Sequence, residues 1–273
     1  MKSISRTITA TLFFVAFLFQ SCVIADAQIV WLSSSGKADY TNCESQIRDL
    51  QNFTVINNES PIDIILEQSN KQSVIVEGDE GYFSNLHTDV SNGRLTIKLD
   101  KGRYRNVRLR VKISCVDIDQ INMAGSGDLL CTSDLKIADE LSISLAGSGD
   151  VRTEDIKSHD LTISLAGSGD ITVGNVETGS SKISIAGSGD ARIDNLVALE
   201  SNINIAGSGD INIRKADIEQ EIDIRIAGSG DVKINGTTDK VSVSIVGSGD
   251  VSGNLKYNSI SKKKLGSGNI SFY

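Results

Sequence analysis

Residues 161–173 read Leu-Thr-Ile-Ser-Leu-Ala-Gly-Ser-Gly-Asp-Ile-Thr-Val, and this stretch decides the fold. Leu161, Ile163, Leu165, Gly167, Gly169, Ile171 and Val173 fall on every second position. Period two is the period of a strand, with these residues on its inner face. The alternation does not break at Gly-Ser-Gly-Asp; it passes through with glycine on the inner side. A bend there has little room inside, and glycine removes the side chain and admits unusual backbone angles. The stretch therefore reads as strand, glycine corner, strand.

The same unit recurs along the chain. Gly-Ser-Gly-Asp begins at Gly125, Gly147, Gly167, Gly187, Gly207, Gly228 and Gly247, and Gly266-Ser267-Gly268-Asn269 closes the series. The spacings are 22, 20, 20, 20, 21, 19 and 19 residues. A second apolar plug follows each corner, at Ile156, Val176 and Leu196, and a polar loop leads to the next unit. One unit cannot bury its inner face alone, whereas stacked units can. The prediction is an all-β, right-handed parallel β-solenoid of ~20-residue coils. At about 4.8 Å per coil, eight coils give a length on the order of 40 Å. A leucine-rich repeat shares the period but needs an Asn or Cys ladder that is absent here. The nonapeptide calcium roll needs a period of nine.

Residues 28–52 read as an extended lead-in. Residues 53–123 form a less regular β-rich portion, either an irregular start of the solenoid or a cap over its open end. Asn92-Gly93 ahead of Arg94-Leu95 is a two-residue hairpin signal. The regular solenoid is expected over 124–273. The composition agrees: 5% aromatic residues, one proline and 25 glycines suit short strands joined by tight turns. The net charge of −8, with scattered lysines, argues against nucleic acid as a partner.

Residues 1–27 read as an export signal, with Lys2 and Arg6 ahead of the apolar run Thr11–Phe19, which is too short to span a bilayer as a helix. Two exits compete. Ala25-Asp26-Ala27 is a small-residue cleavage site that leaves Gln28 first. Phe19-Gln20-Ser21-Cys22 is a loose lipoprotein signal with Cys22 lipidated. The first is preferred, because Phe19 stands where such a signal carries Leu. Either route takes the chain to the periplasm, outer membrane or cell surface. Membrane contact is expected only through that anchor. Without Cys22, three cysteines remain, Cys43, Cys115 and Cys131, an odd number that gives no disulfide framework.

The residues from about Phe53 to Asp250 resemble a family of bacterial envelope proteins described as "putative auto-transporter adhesin, head GIN domain". The carriers are Ile62-Asp63-Ile64-Ile65-Leu66, Ser73-Val74-Ile75-Val76-Glu77-Gly78-Asp79-Glu80, Asn92-Gly93-Arg94-Leu95-Thr96-Ile97 and the serial Gly-Ser-Gly-Asp. The resemblance implies a β-helical body behind a signal or lipoprotein N-terminus and a source among Bacteroidetes-like bacteria. It supplies no catalytic residues.

One constellation is a candidate site: Asp128, Asp150, Asp170, Asp190, Asp210, Asp231 and Asp250, stacked as one outward file. Neighbouring carboxylates about 5 Å apart repel by roughly 1 kcal/mol in water. Two answers are open. Each carboxylate caps backbone N–H groups of its own corner, as Asp does in turns, or the file binds Ca²⁺. Capping is preferred, because calcium loops gather more acidic oxygens per site. Otherwise no cofactor is expected. His87 and His159 lie in different units, and no catalytic triad, metal-histidine or phosphate-loop pattern is present. Lys262-Lys263-Lys264 reads as a solvated edge guard against end-to-end stacking, with contact to an acidic surface as the alternative. The function expected is a non-catalytic, adhesin-like envelope protein that binds a surface protein or polysaccharide. The alternative is a β-helix polysaccharide lyase using an Asp and Ca²⁺ site.

Overall fold

The structure, a computed structural model, describes residues 27–30 (backbone only), 40 and 43–273. The signal segment, with Cys22, lies outside the described residues apart from the backbone of Ala27.

From Gln120 onward the chain winds as a parallel β-solenoid. Asp160–Leu165 lies between Glu140–Leu145 and Ser180–Gly187, parallel to both, with Ile163 opposite Ile143 and Ile183. After the corner, Ile171 is opposite Val151 and Ala191. The apolar plug, read from sequence as a point between loops, is a third short strand: Leu135–Lys136, Ile156–Lys157 and Val176–Glu177 also pair in parallel. Each coil thus has three faces. From Ala191 the strand segments run together almost without interruption, as in Ala191–Gly207 and Ile211–Gly228.

In-register stacking turns the sequence parity into files of buried side chains. Leu145, Leu165, Ile185, Ile205, Ile226 and Ile245 form one such file, all nearly inaccessible to water. Burial of each such aliphatic side chain stabilises the fold by roughly 1.5–3 kcal/mol. One file is interrupted by polar groups. Ser181 and Ser201 are fully buried and satisfy each other, Oγ to Oγ at 2.8 Å. Ser181→Ala is expected to cost about 1–2 kcal/mol, because it strands the Ser201 hydroxyl. The Ser181→Ala/Ser201→Ala pair should cost less than the sum of the singles. A double-mutant cycle by urea unfolding checks this.

The glycine corners hold for a reason different from a crowded interior. A Cβ on Gly189 would stand 2.0 Å from the carbonyl oxygen of Gly169, and one on Gly187 2.2 Å from that of Gly167. The obstacle is the backbone of the preceding coil. Gly187 also sits at φ +155 and is only part-buried, so its place is fixed by backbone conformation and coil contact together.

The N-terminal portion supplies rungs as well as a cap. Val55–Asn58 pairs in parallel with Gln120–Met123, and Asp63–Gln68 with Leu129–Cys131, so residues 55–68 form the coil beneath the first glycine corner. On the other side of that coil, Arg94–Leu99 and Leu109–Cys115 add another parallel rung. Antiparallel strands then close the end. Leu86–Ser91 pairs with Arg94–Leu99 through the Asn92-Gly93 turn, whose φ values of 51 and 71 are those of the hairpin read from sequence. Ser73–Gly78 covers Leu109–Cys115, and Glu44–Arg48 covers Ser73–Gly78. Part of the lead-in therefore belongs to the cap. Cys115 and Cys131 are buried free thiols, and burial pushes the Cys115 thiol up to about 12, so it is inert as a nucleophile.

The cap is held by ion pairs. Glu77 receives Arg110 at 2.7 Å and Lys112 at 2.8 Å, and Asp79 receives Arg108 at 2.9 Å. Burial pushes the Glu77 carboxyl up, but its bonds from Lys112 and Arg110 outweigh that and hold it below the usual range. The Arg108 backbone N–H does the same for Asp79. A lowered folded-state pKa gives stability that is present above the unfolded value and lost as pH falls through the folded one. Glu77→Gln should therefore lower the melting temperature near neutral pH. The gap to wild type should close as pH drops below the ordinary carboxylate range, which melting curves against pH would read.

Candidate functional site

The aspartates do form one outward file, and the hydrogen bonds within it run between coils. Oδ1 of each Asp accepts the backbone N–H of the Asp in the next coil. Asp128 accepts from Asp150 at 2.8 Å, Asp150 from Asp170 at 3.1 Å, and Asp170 from Asp190 at 3.0 Å. The series continues through Asp190, Asp210 and Asp231, and Asp250 accepts from Asn269 at 2.7 Å. The corner is where the regular strand ladder lapses, so this N–H has no carbonyl opposite it. The next N–H points the other way: Ile171 donates to the Asp190 carbonyl and Ala191 to that of Asp210, each at 2.9 Å. Capping of each corner by its own carboxylate, the sequence expectation, is thus replaced by capping of the following coil.

The file starts earlier than the repeat suggested. Asp63 accepts the Asp128 N–H at 3.0 Å, and its carboxyl is raised by burial, partly offset by that bond. Its corner is Ser60-Pro61-Ile62 rather than Gly-Ser-Gly, which hid the position; the signal available was Asp63-Ile64 in the phase of Asp170-Ile171. Two further inter-coil caps also escaped the sequence reading. Asn175 N–H donates to Asp155 Oδ1 at 2.8 Å, and Asn254 N–H to Asn235 Oδ1 at 3.0 Å, at the following bend.

Charge in the middle of the file is compensated by arginine. Arg152 reaches Asp150 Oδ2 at 2.7 Å. Arg192 bridges two rungs, with Asp170 at 3.0 Å and Asp190 at 2.7 Å. Among the described residues, no group of three or more His, Cys, Asp or Glu side chains is placed to hold a metal ion. His87 pairs with Asp100 at 2.8 Å and His159 with Asp160 at 3.1 Å, both exposed and in separate parts of the molecule. The best-formed depressions are open and shallow. One, of about 330 Å³, lies beside Arg48, Ser84 and His87, and the other, of about 380 Å³, beside Asn235, Thr237 and Lys256. A side of the solenoid is a regular surface, where Ser142, Ser144, Thr162, Ser164, Asn202 and Asn204 point outward in register, none of them buried, with Lys182, Asp223 and Arg225 in the same rows.

Comparison with known proteins places this architecture. The model of the family "Putative auto-transporter adhesin, head GIN domain" matches residues 52–237, more than half of the chain. The chain belongs to this family. The match takes in the coil of residues 55–68, the cap strands from Ser73 onward and the Asp file from Asp63 to Asp231. Solved structures agree. A structure titled putative lipid binding protein from Parabacteroides distasonis has 27% identity and a TM-score of 0.73, covering 85% of this chain and 97% of its own. A putative adhesin from the same organism has 22% identity and a TM-score of 0.77 over 85% and 97% of the two chains. One from Parabacteroides merdae has 22% identity and a TM-score of 0.77 over 85% and 96%. At 22% identity the likeness of these adhesins is one of fold. No curated protein matches the chain.

Proposed function

We propose that this head GIN domain protein is a non-catalytic, adhesin-like module of the bacterial cell envelope, exported to the periplasm, outer membrane or cell surface. It binds a surface protein or polysaccharide along the side of the solenoid. The observation that carries this reading is an outward face made mostly of Ser, Thr and Asn side chains on parallel strands, interrupted by Lys182 and by the Asp223–Arg225 pair. Short polar side chains on a rigid sheet present hydroxyl and amide groups at the strand spacing of about 4.8 Å. They lose little rotamer freedom when a partner orders them. The names given to the similar structures, adhesin and lipid binding protein, describe binding rather than turnover.

The Asp file belongs to the fold in this reading, and no cofactor is needed. One carboxylate oxygen is engaged by the next coil's N–H, and in the middle coils the other faces arginine. Calcium requires six to eight oxygens drawn from several groups, roughly at 2.3–2.6 Å. The polysaccharide lyase reading needs a local break in the repeat that would build a site, and the coils are regular where the file runs.

Binding of fluorescently labelled protein to intact bacterial cells tests the proposal. Ser144→Trp with Ser184→Trp, bulky changes on the proposed face, should abolish binding. Lys157→Trp, on the third face of the coil, should not. Equal binding by both variants would remove the lateral face from the account. Product release from acidic polysaccharides by the purified protein would favour the lyase.

A further inference from the structure

The last coil differs from the others in charge. Residues 251–273 contain Lys256, Lys262, Lys263 and Lys264 and no Asp or Glu, a sum of +4, so residues 1–250 carry −8 − 4 = −12. The Asp file gives way here to Asn269. Register shows where two of these lysines stand. Lys262 lies opposite Val243 and Lys264 opposite Ile245, and those positions hold Ile224 and Ile226 one coil earlier. Lys262 and Lys264 thus occupy the core-facing phase of the solenoid. A further coil stacked on Ser259–Gly266 would trap their ammonium groups among aliphatic side chains without partners, which is strongly unfavourable.

The lysines are exposed, and part-buried or exposed apolar groups lie near them. Lys262 Nζ lies 3.4 Å from the Ile270 carbonyl and 5.9 Å from the centre of the Phe272 ring. Tyr257 packs edge-on against Phe272 with ring centres 5.9 Å apart. Leu265 is 73% exposed and its neighbour in the preceding coil, Val246, is 52% exposed. Among the described residues, Ser259–Gly266 is paired along one edge only.

We propose that this end of the solenoid docks end-on to an anionic lipid surface. Lys262, Lys263 and Lys264 meet the headgroup phosphates, while Leu265, Val246 and Tyr257 enter the interfacial layer. Charge complementarity selects the sign of the partner, since a +4 end on an otherwise −12 chain is drawn to anionic surfaces and repelled by cationic ones. The apolar groups select lipid. Aliphatic and aromatic side chains beside lysines gain free energy at a bilayer interface and gain little from a hydrated polyanion. The single-edged strand stays at headgroup depth, where water still reaches its free N–H and C=O groups. Lys263, Val246 and Leu265 have the outward phase of the lateral face, so this contact adjoins that face at its last two coils, while Lys262 and Lys264 belong to the end alone.

Co-sedimentation with phosphatidylcholine vesicles, with and without phosphatidylglycerol, tests the proposal. Wild type should bind only the phosphatidylglycerol vesicles, less tightly as salt is added. Lys262→Gln/Lys263→Gln/Lys264→Gln should weaken binding roughly a hundredfold, at about fivefold per lysine. Its melting curve should match wild type, because the three sites are exposed. Tyr257→Ser/Leu265→Ser should weaken vesicle binding while leaving any binding to dextran sulfate unchanged. Three results would overturn the idea. They are equal binding to neutral vesicles, vesicle binding that ignores the apolar changes, and self-association in ultracentrifugation that the triple variant abolishes.

Discussion

Gly189→Ala is expected to destabilise the solenoid almost as much as Gly189→Val, by about 3 kcal/mol or more. The reason is the position of the obstacle. A Cβ at residue 189 meets the Gly169 carbonyl oxygen at 2.0 Å, and that oxygen belongs to backbone locked into the coil ladder. The Cβ itself already collides, and it also stands 3.0 Å from Leu165 Cδ2, so the extra methyls of valine add a smaller increment. Relief requires neighbouring coils to separate, and that breaks hydrogen bonds on all three faces. Ser184→Val, on an outward strand position between Ser164 and Asn204, should change stability by less than about 0.5 kcal/mol. Urea unfolding of the three variants distinguishes the cases. If alanine is tolerated while valine is not, the corner is limited by interior volume and not by the adjacent backbone.

Asp190→Ala should cost roughly 1–2 kcal/mol, whereas Asp190→Asn should cost less than half of that. Alanine leaves the Asp210 N–H without its acceptor, and no carbonyl is placed to replace it. Asparagine keeps a side-chain oxygen at the same reach. It gives up the pairing with Arg192 but also relieves repulsion from neighbouring carboxylates. The chain already holds an Asn acting in this way at another bend, where Asn235 Oδ1 accepts the Asn254 N–H at 3.0 Å. Millimolar calcium and chelator should give the same melting temperature for wild type and for both variants. A calcium-dependent rise that Asp190→Asn removes would make the file a metal site, since a ligand that binds only the folded state stabilises it by mass action.

These two expectations mark how far sequence reading went. Parallel coils, the inward phase of Leu161, Ile163 and Leu165, and the Asn92-Gly93 hairpin were legible because each depends on local rules: a period of two, a repeat of constant length, and turn residues with fixed backbone angles. The outward file of aspartates followed from the same parity. Its use did not. Whether Asp190 caps its own corner or the next depends on which N–H lacks a carbonyl opposite it, and that is set by the stacking of two coils.

Three features were decided only by tertiary structure. Asp63 joined the file although its corner lacks the glycine motif, because Asp63–Gln68 stacks beneath Leu129–Cys131, some 65 residues away. The rung formed by Arg94–Leu99 and Leu109–Cys115 was placed on the opposite side of that coil from the repeats, a choice that alternation along a strand cannot express. The lysine run was visible as charge, but its core-facing phase emerged only from the pairing of Lys262 with Val243. Sequence by itself determined which side of each strand is apolar and where the chain bends, since those are properties of neighbouring residues. Tertiary structure determined which distant backbone lies against each bend, because in a solenoid every hydrogen-bond partner of a corner belongs to another coil.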